Sequence, residues 1–84
     1  MITGVQIRAA RNALKWTTEE LAERAGVTSR TIKRFEAIND VPPSRSGTLF
    51  EVQKALEAAG IEFIGSPNDR PGIRVATPSI ASPK

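Results

Sequence analysis

The sequence predicts a mainly α fold, with four helices in the first sixty residues followed by a short β-hairpin. Three observations carry that expectation. Apolar residues recur at three- and four-residue intervals between Ile7 and Ala59, the period of helices buried along one stripe. Threonines stand just ahead of three of these runs, where a hydroxyl serves as a helix cap. After Gly60 the period shortens to two, with Glu62 set between Ile61 and Phe63.

The first helix opens at Thr3, and Gln6 three residues on completes a capping-box spacing. Ile7, Ala10 and Leu14 form its buried stripe. The second opens at Thr17 with Glu20 in the same relation, and Leu21, Ala22 and Ala25 face inward. Gly26 ends it, because a left-handed turn residue costs least without a Cβ. Thr28 caps a third helix that runs to about Ala37 on the anchors Ile32 and Phe35. Asn39 is expected in the left-handed position at its exit, and Asn39, Asp40, Pro42 and Pro43 mark a loop. Ser46 or Thr48 begins a fourth helix, where Leu49, Val52, Leu56 and Ala59 share a face and Gly60 is the stop. Residues 61–64 and 73–75 read as strands around the turn-formers of 65–69. Residues 77–84, with two prolines and small polar side chains, are expected to be a disordered tail. The chain thus divides into a helical domain at 1–60, strands at 61–76 and a tail at 77–84.

Composition narrows the function. At 84 residues the chain is one domain at most, and 39% hydrophobic content supports one modest core. Cysteine and histidine are both absent, which excludes disulfides, thiolate metal sites, cysteine nucleophiles and the commonest general base. No enzyme activity, cofactor or metal is expected. Arg8 and Arg11 interrupt the N-terminal apolar residues, so neither a signal peptide nor a membrane span is expected, and the location is taken as cytoplasmic. The net charge is +3, and its distribution matters more than its size. Glu19, Glu20 and Glu23 fall in the second helix, whereas Arg30, Lys33 and Arg34 fall in the third.

Residues 18–35 meet the demands of two short helices crossing at a tight turn. Ala22 is small enough for close approach, Gly26 makes the turn and Val27 seals it. Ile32 fills the gap between the helices, and Phe35 closes the far end. The runs Ile7-Arg8-x-x-Arg11, Trp16-Thr17-Thr18-Glu19-Glu20-Leu21-Ala22, Ala25-Gly26-Val27-Thr28 and Thr31-Ile32-x-x-Phe35-Glu36 resemble the Cro/C1-type (XRE) helix-turn-helix family over roughly residues 4–59. That resemblance implies a lambda-repressor-like bundle of four to five helices, sequence-specific binding in the DNA major groove, and a homodimer. It also implies that Arg11 pairs with Glu36. Thr18 stands where the family usually has glutamine, and Ala37-Ile38-Asn39-Asp40 replaces its glycine after the recognition helix.

In such a motif the start of the second helix meets base edges. Ser29, Arg30 and Arg34 are therefore the expected base readers, arginine because it forms two hydrogen bonds to guanine. Thr17, Thr18, Thr28, Thr31, Lys33, Arg45 and Ser46 are the expected phosphate contacts, placed at helix starts or carrying a point charge. Trp16 reads as a packing residue, and Arg8 and Lys15 as ordinary surface charges. Ile61, Phe63, Ile64, Ile73 and Val75 need a partner surface, since a lone hairpin is marginally stable. They either fold back on the chain's own core or pair with a second subunit; the dimer is the expectation, reading a pseudo-palindromic operator. The function expected is a nucleoid-associated transcriptional regulator, a repressor or autoregulator. The alternative is an antitoxin-type module whose residues 65–84 bind a protein partner.

Overall fold

The computed structural model describes residues 2–44 and 47–76. Four helices and one hairpin follow in order: α1 (Gly4–Ala13), α2 (Thr18–Ala25), α3 (Ser29–Glu36), α4 (Thr48–Ala58), β1 (Ile61–Ser66) and β2 (Asp69–Val75). The expected tail at 77–84 lies outside the described residues, as do Arg45 and Ser46.

Each helix start in the first half is sealed locally. Thr3 Oγ1 accepts from the Gln6 N–H at 3.1 Å, and Gln6 Oε1 accepts from the Thr3 N–H at 2.8 Å. Thr17 and Glu20 repeat this reciprocal box at 3.0 and 2.8 Å. Thr28 caps α3 by accepting from the Thr31 N–H at 3.2 Å. The ends of α1 and α2 share a second motif. The Lys15 and Trp16 N–H groups donate back to Asn12 and Arg11, just as Gly26 and Val27 donate to Glu23 and Ala22. Both turns need a left-handed residue; Gly26 supplies it at φ 74° and Lys15 at φ 59°.

The fourth helix begins at Thr48, one of its two expected starts, and one expectation about a helix end is corrected. Asn39 is not left-handed: the described non-glycine residues with positive φ are Lys15 and Arg70. The exit from α3 is shaped instead by Gly4, whose N–H donates to the Asp40 carbonyl at 3.1 Å. A Cβ at Gly4 would collide with the carbonyl oxygens of Phe35 and Ile38, so backbone meets backbone there. At α4 the cap position belongs to Gly47, left-handed at φ 73° and without a side-chain bond. Ser44, five residues before Leu49, supplies the missing acceptor, its Oγ taking the Leu49 N–H at 2.9 Å.

Ile7, Ala10, Leu21, Ala22, Ile32, Phe35, Leu49, Val52 and Leu56 are all buried in one core, with Ile2 and Ile61 completing it. Leu14, Trp16, Ala25 and Val27 pack against its margin. α2 lies against both α3 and α4, and the hairpin rests on α1 and α4. Its register pairs Ile61 with Val75, Phe63 with Ile73 and Ile64 with Gly72, then shifts at Gly65 before Ser66 meets Asp69.

The strand side chains expected to face a second subunit are therefore placed differently. Ile61 is 3% exposed and belongs to the chain's own core, while Phe63 and Ile73 pack against it. Ile64 is half-buried, and Val75 is 48% exposed. The apolar face of a two-stranded sheet needs cover, and here α1 and α4 of the same chain provide it.

Candidate nucleic-acid interface

α3 has two faces of opposite chemistry. Ile32 and Phe35 are fully buried, and Glu36 is 8% exposed. On the other side Arg30, Lys33 and Arg34 are exposed, with Ser29 half-buried beside them. Helical spacing explains the grouping, since residues three and four apart share a face. Ser29 lies over Lys33, and Arg30 over both Lys33 and Arg34.

The inner face is fixed by charge as well as by packing. Arg11 of α1 donates from Nε to Glu36 Oε2 at 2.7 Å and from Nη2 to Oε1 at 3.0 Å, a bidentate fork. Its remaining nitrogen, Nη1, reaches the Trp16 carbonyl at 2.8 Å, which ties the turn after α1 into the same joint. The hydrogen bond to Glu36 is the main reason that the Arg11 guanidinium is held above its usual pKa. Arg8 adds a bond that sequence reasoning missed. Its Nη1 donates to the Glu36 carbonyl at 2.8 Å, closing the C-terminus of α3. Arg8 is thus more than an ordinary surface charge. The available signal was its three-residue spacing from Arg11, which puts both arginines on one side of α1.

Among the described residues the outer cations form no ion pair, although Lys33 is near enough to Glu19 to help lower its pKa. The ion pairs among the described residues join Arg11 to Glu36, Arg70 to Asp69 and Arg74 to Glu62. Arg30 and Lys33 pair with none of the described carboxylates. Among the described residues Arg34 makes a ring contact, its Cζ 5.7 Å from the centroid of Phe35. A groove of about 340 Å³ runs beside this face, lined by Thr31, Arg34, Pro43, Ser44 and Thr48. It joins α3 to the start of α4.

The remaining expected contact residues are occupied in different ways. The hydroxyls of Thr28 and Thr31 lie 3.0 Å apart and bond to each other at the start of α3. Thr17 is spent on its capping box, and the Thr18 hydroxyl donates to Glu19 Oε1 at 3.1 Å. Glu19 itself is held below the usual carboxylate range, first by its own backbone N–H and then by Thr18. A negative side chain at that terminus also suits the positive end of the α2 dipole. Arg45 and Ser46 fall outside the described residues. Among the described residues no helix is long and apolar enough to cross a membrane.

Trp16 packs at the core margin as expected, with the Arg24 guanidinium stacked 4.4 Å from its ring centroid. No curated relative matches the chain. A family model described as helix-turn-helix matches residues 7–37, the stretch from the first buried turn of α1 to the exit of α3. The matched segment holds the Arg11–Glu36 fork, the Gly26 turn and the whole cationic face, and leaves out α4 and the hairpin. Over residues 7–37 the chain is thus similar to the Cro/C1-type (XRE) helix-turn-helix family of DNA-binding regulators.

Proposed function

We propose that this chain is a sequence-specific regulator of transcription that reads double-stranded DNA as a homodimer and acts as a repressor or autoregulator. One observation carries the reading. The second helix of the motif presents Arg30, Lys33 and Arg34 on one exposed face, unpaired with any described carboxylate, while its other face is locked to α1. Cations kept free of internal partners retain their full attraction for phosphate and base edges. A helix held by a bidentate fork keeps those cations at a constant angle to the duplex.

In this reading Arg30 and Arg34 are the base readers, with Ser29 a third, shorter one. Lys33 meets the phosphate backbone as a point charge. The groove between α3 and α4 follows the strand beyond the reading face. Thr28 and Thr31 contribute more through α3's capped N-terminus than through their hydroxyls, which already bond to each other. A symmetric dimer would place two such helices on half-sites about one helical turn apart.

The test is selection of bound fragments from random duplex DNA, followed by affinity measurements on the recovered sequence. Arg30→Ala and Arg34→Ala should each cost about 1–3 kcal/mol on the selected site and relax preference at one position per half-site. Lys33→Ala should weaken binding to all sequences alike and flatten the dependence on salt. If no sequence is enriched at moderate ionic strength, the reading fails.

A further inference from the structure

We infer that Glu19 is a brake on the DNA contact: its carboxylate occupies the start of α2 beside the cationic face of α3 and repels the duplex backbone whatever the base sequence. This rests on the reading above, and adds to it a residue that limits affinity where the others supply it.

The two helix starts of the motif differ in charge. The first turn of α3 holds no acidic residue, whereas that of α2 holds Glu19 and Glu20. The two glutamates do different work. Glu20 is turned back onto its own helix, one carboxylate oxygen accepting the Thr17 N–H at 2.8 Å. Glu19 is exposed and takes no part in that box. Free N–H groups and a hydroxyl at a helix start ordinarily attract phosphate. Here the donors are turned inward. The Thr18 hydroxyl donates to Glu19 Oε1 at 3.1 Å, the Glu20 N–H to Thr17 Oγ1 at 3.0 Å, and the Leu21 N–H to the Thr17 carbonyl at 3.1 Å. A carboxylate thus stands where a phosphate oxygen would otherwise be drawn, and Thr18 helps to hold it there.

Position ties this carboxylate to α3. α2 packs against α3, and the cations that act on Glu19 through space are Lys33 and Arg11. Arg11 is committed to its fork with Glu36. Lys33 is exposed and shares the outward face with Arg30 and Arg34, so Glu19 lies at the rim of that face. Lys33 draws phosphate in, and Glu19 pushes against it a short way off. A charge at the rim of an interface acts mainly on the association rate and its salt dependence. The backbone is common to every sequence, so the brake leaves discrimination to the base readers. Binding to arbitrary sequence, which rests on phosphate attraction, is held down. Occupancy then depends on what Arg30 and Arg34 add.

Glu19→Gln is the test, because the amide keeps an acceptor for Thr18 and removes only the charge. Affinity is measured across a salt series on the selected duplex and on a duplex of random sequence. Both should tighten by a similar factor, on the order of three- to ten-fold at low ionic strength, with faster association and a salt dependence steeper by about one counterion. Glu57→Gln is the control. It makes the same change in net charge near the other end of α4, roughly 14 Å along the helix from Thr48 and the groove, beyond the screening length at about 0.1 M salt. It should move affinity far less. Equal gains from the two variants would reduce the effect to net charge and overturn the brake, as would a Glu19→Gln chain that binds no tighter than wild type. Repeating Glu19→Gln in a Lys33→Ala background separates repulsion of phosphate from masking of Lys33. The gain should persist there, and its disappearance would overturn direct repulsion. Failure to enrich any duplex would overturn the regulator reading instead, whereas the Glu19 comparison is read on random-sequence DNA and stands or falls apart from it.

Discussion

α1 holds the rest of the molecule by two different kinds of joint. Toward α3 it offers charge: Arg11 grips the Glu36 carboxylate with two nitrogens, Arg8 closes the same residue's carbonyl, and Gly4 lets the two backbones touch. Toward the hairpin it offers one neutral amide, Gln6, which bonds to two strand carbonyls while also serving its own capping box. The first joint is directional and strong, because charge-assisted bidentate bonds have little angular freedom. The second is weaker and leaves the strands to be held mainly by burial of Ile61, Phe63 and Ile73. Angular precision is spent where orientation on a duplex would matter. The hairpin needs only to be covered.

The sharpest way to break the contrast is inside α3 itself. Phe35 is fully buried at the far end of the motif, and Phe35→Ala should destabilise the fold by about 3–5 kcal/mol, read by chemical denaturation. Its neighbour Arg34 is exposed, so Arg34→Ala should leave stability within about 0.5 kcal/mol of wild type. Comparable stability losses from the two changes would show that the outer face of α3 is structural, not free.

Next in size is the charged joint. Glu36→Ala leaves the Arg11 side chain, 16% exposed, without its counter-charge, and should cost roughly 2–4 kcal/mol. Affinity for DNA should fall by more than the small unfolded fraction explains, because α3 loses its angular reference. A double-mutant cycle with Arg11→Ala separates the pair from its surroundings. Additive losses would mean that the fork does no more than each residue does alone.

Legibility follows the same division. Thr3, Thr17, Thr28 and Gly26 could be placed from sequence because a cap or a turn is a relation among residues three or four apart. The core stripes of α1, α2 and α3 were legible for the same reason. What escaped were contacts whose two ends lie far apart in the chain. Gln6 looked like a capping residue only, and its bonds to Ile64 and Gly72 depend on where the hairpin lands. Ile61 and Phe63 could be recognised as needing cover, but the alternation of a strand says nothing about which surface supplies it. Ser44 was hidden by a different cause: its hydroxyl serves a helix that starts four residues later, a spacing outside the usual cap pattern. The cationic face of α3 is visible as a cluster; that its members form no ion pair with a described carboxylate emerges only from the geometry.

The weaker joint should respond differently from the charged one. Gln6→Ala removes the reciprocal cap and both strand contacts, for an expected loss of about 1–2 kcal/mol. The effect should be local. Amide hydrogen exchange should accelerate across β1 and β2 while α2 and α3 keep their protection, since weakly joined units open on their own. Uniform acceleration through all elements would show that the hairpin and the helices unfold as one unit, and the contrast between the joints would then have no dynamic consequence.

The smallest expected effect is a gain. The turns after α1 and α2 have the same bond pattern, but one uses glycine and the other Lys15 at φ 59°. A left-handed residue with a Cβ costs about 1–2 kcal/mol, and glycine's extra freedom in the unfolded chain returns part of that. Lys15→Gly should therefore stabilise the protein by roughly 0.5–1 kcal/mol, a rise of a few degrees in Tm for a domain of this size. Lys15 is exposed, and none of the side-chain hydrogen bonds among the described residues involves it, so little is lost on the other side. Because Arg11 bonds the Trp16 carbonyl, this turn is also part of the charged joint. If Lys15→Gly raised Tm but loosened DNA affinity, the lysine's restricted backbone would be revealed as a brace for the arginine fork, bought at a cost in stability that the glycine turn after α2 does not bear.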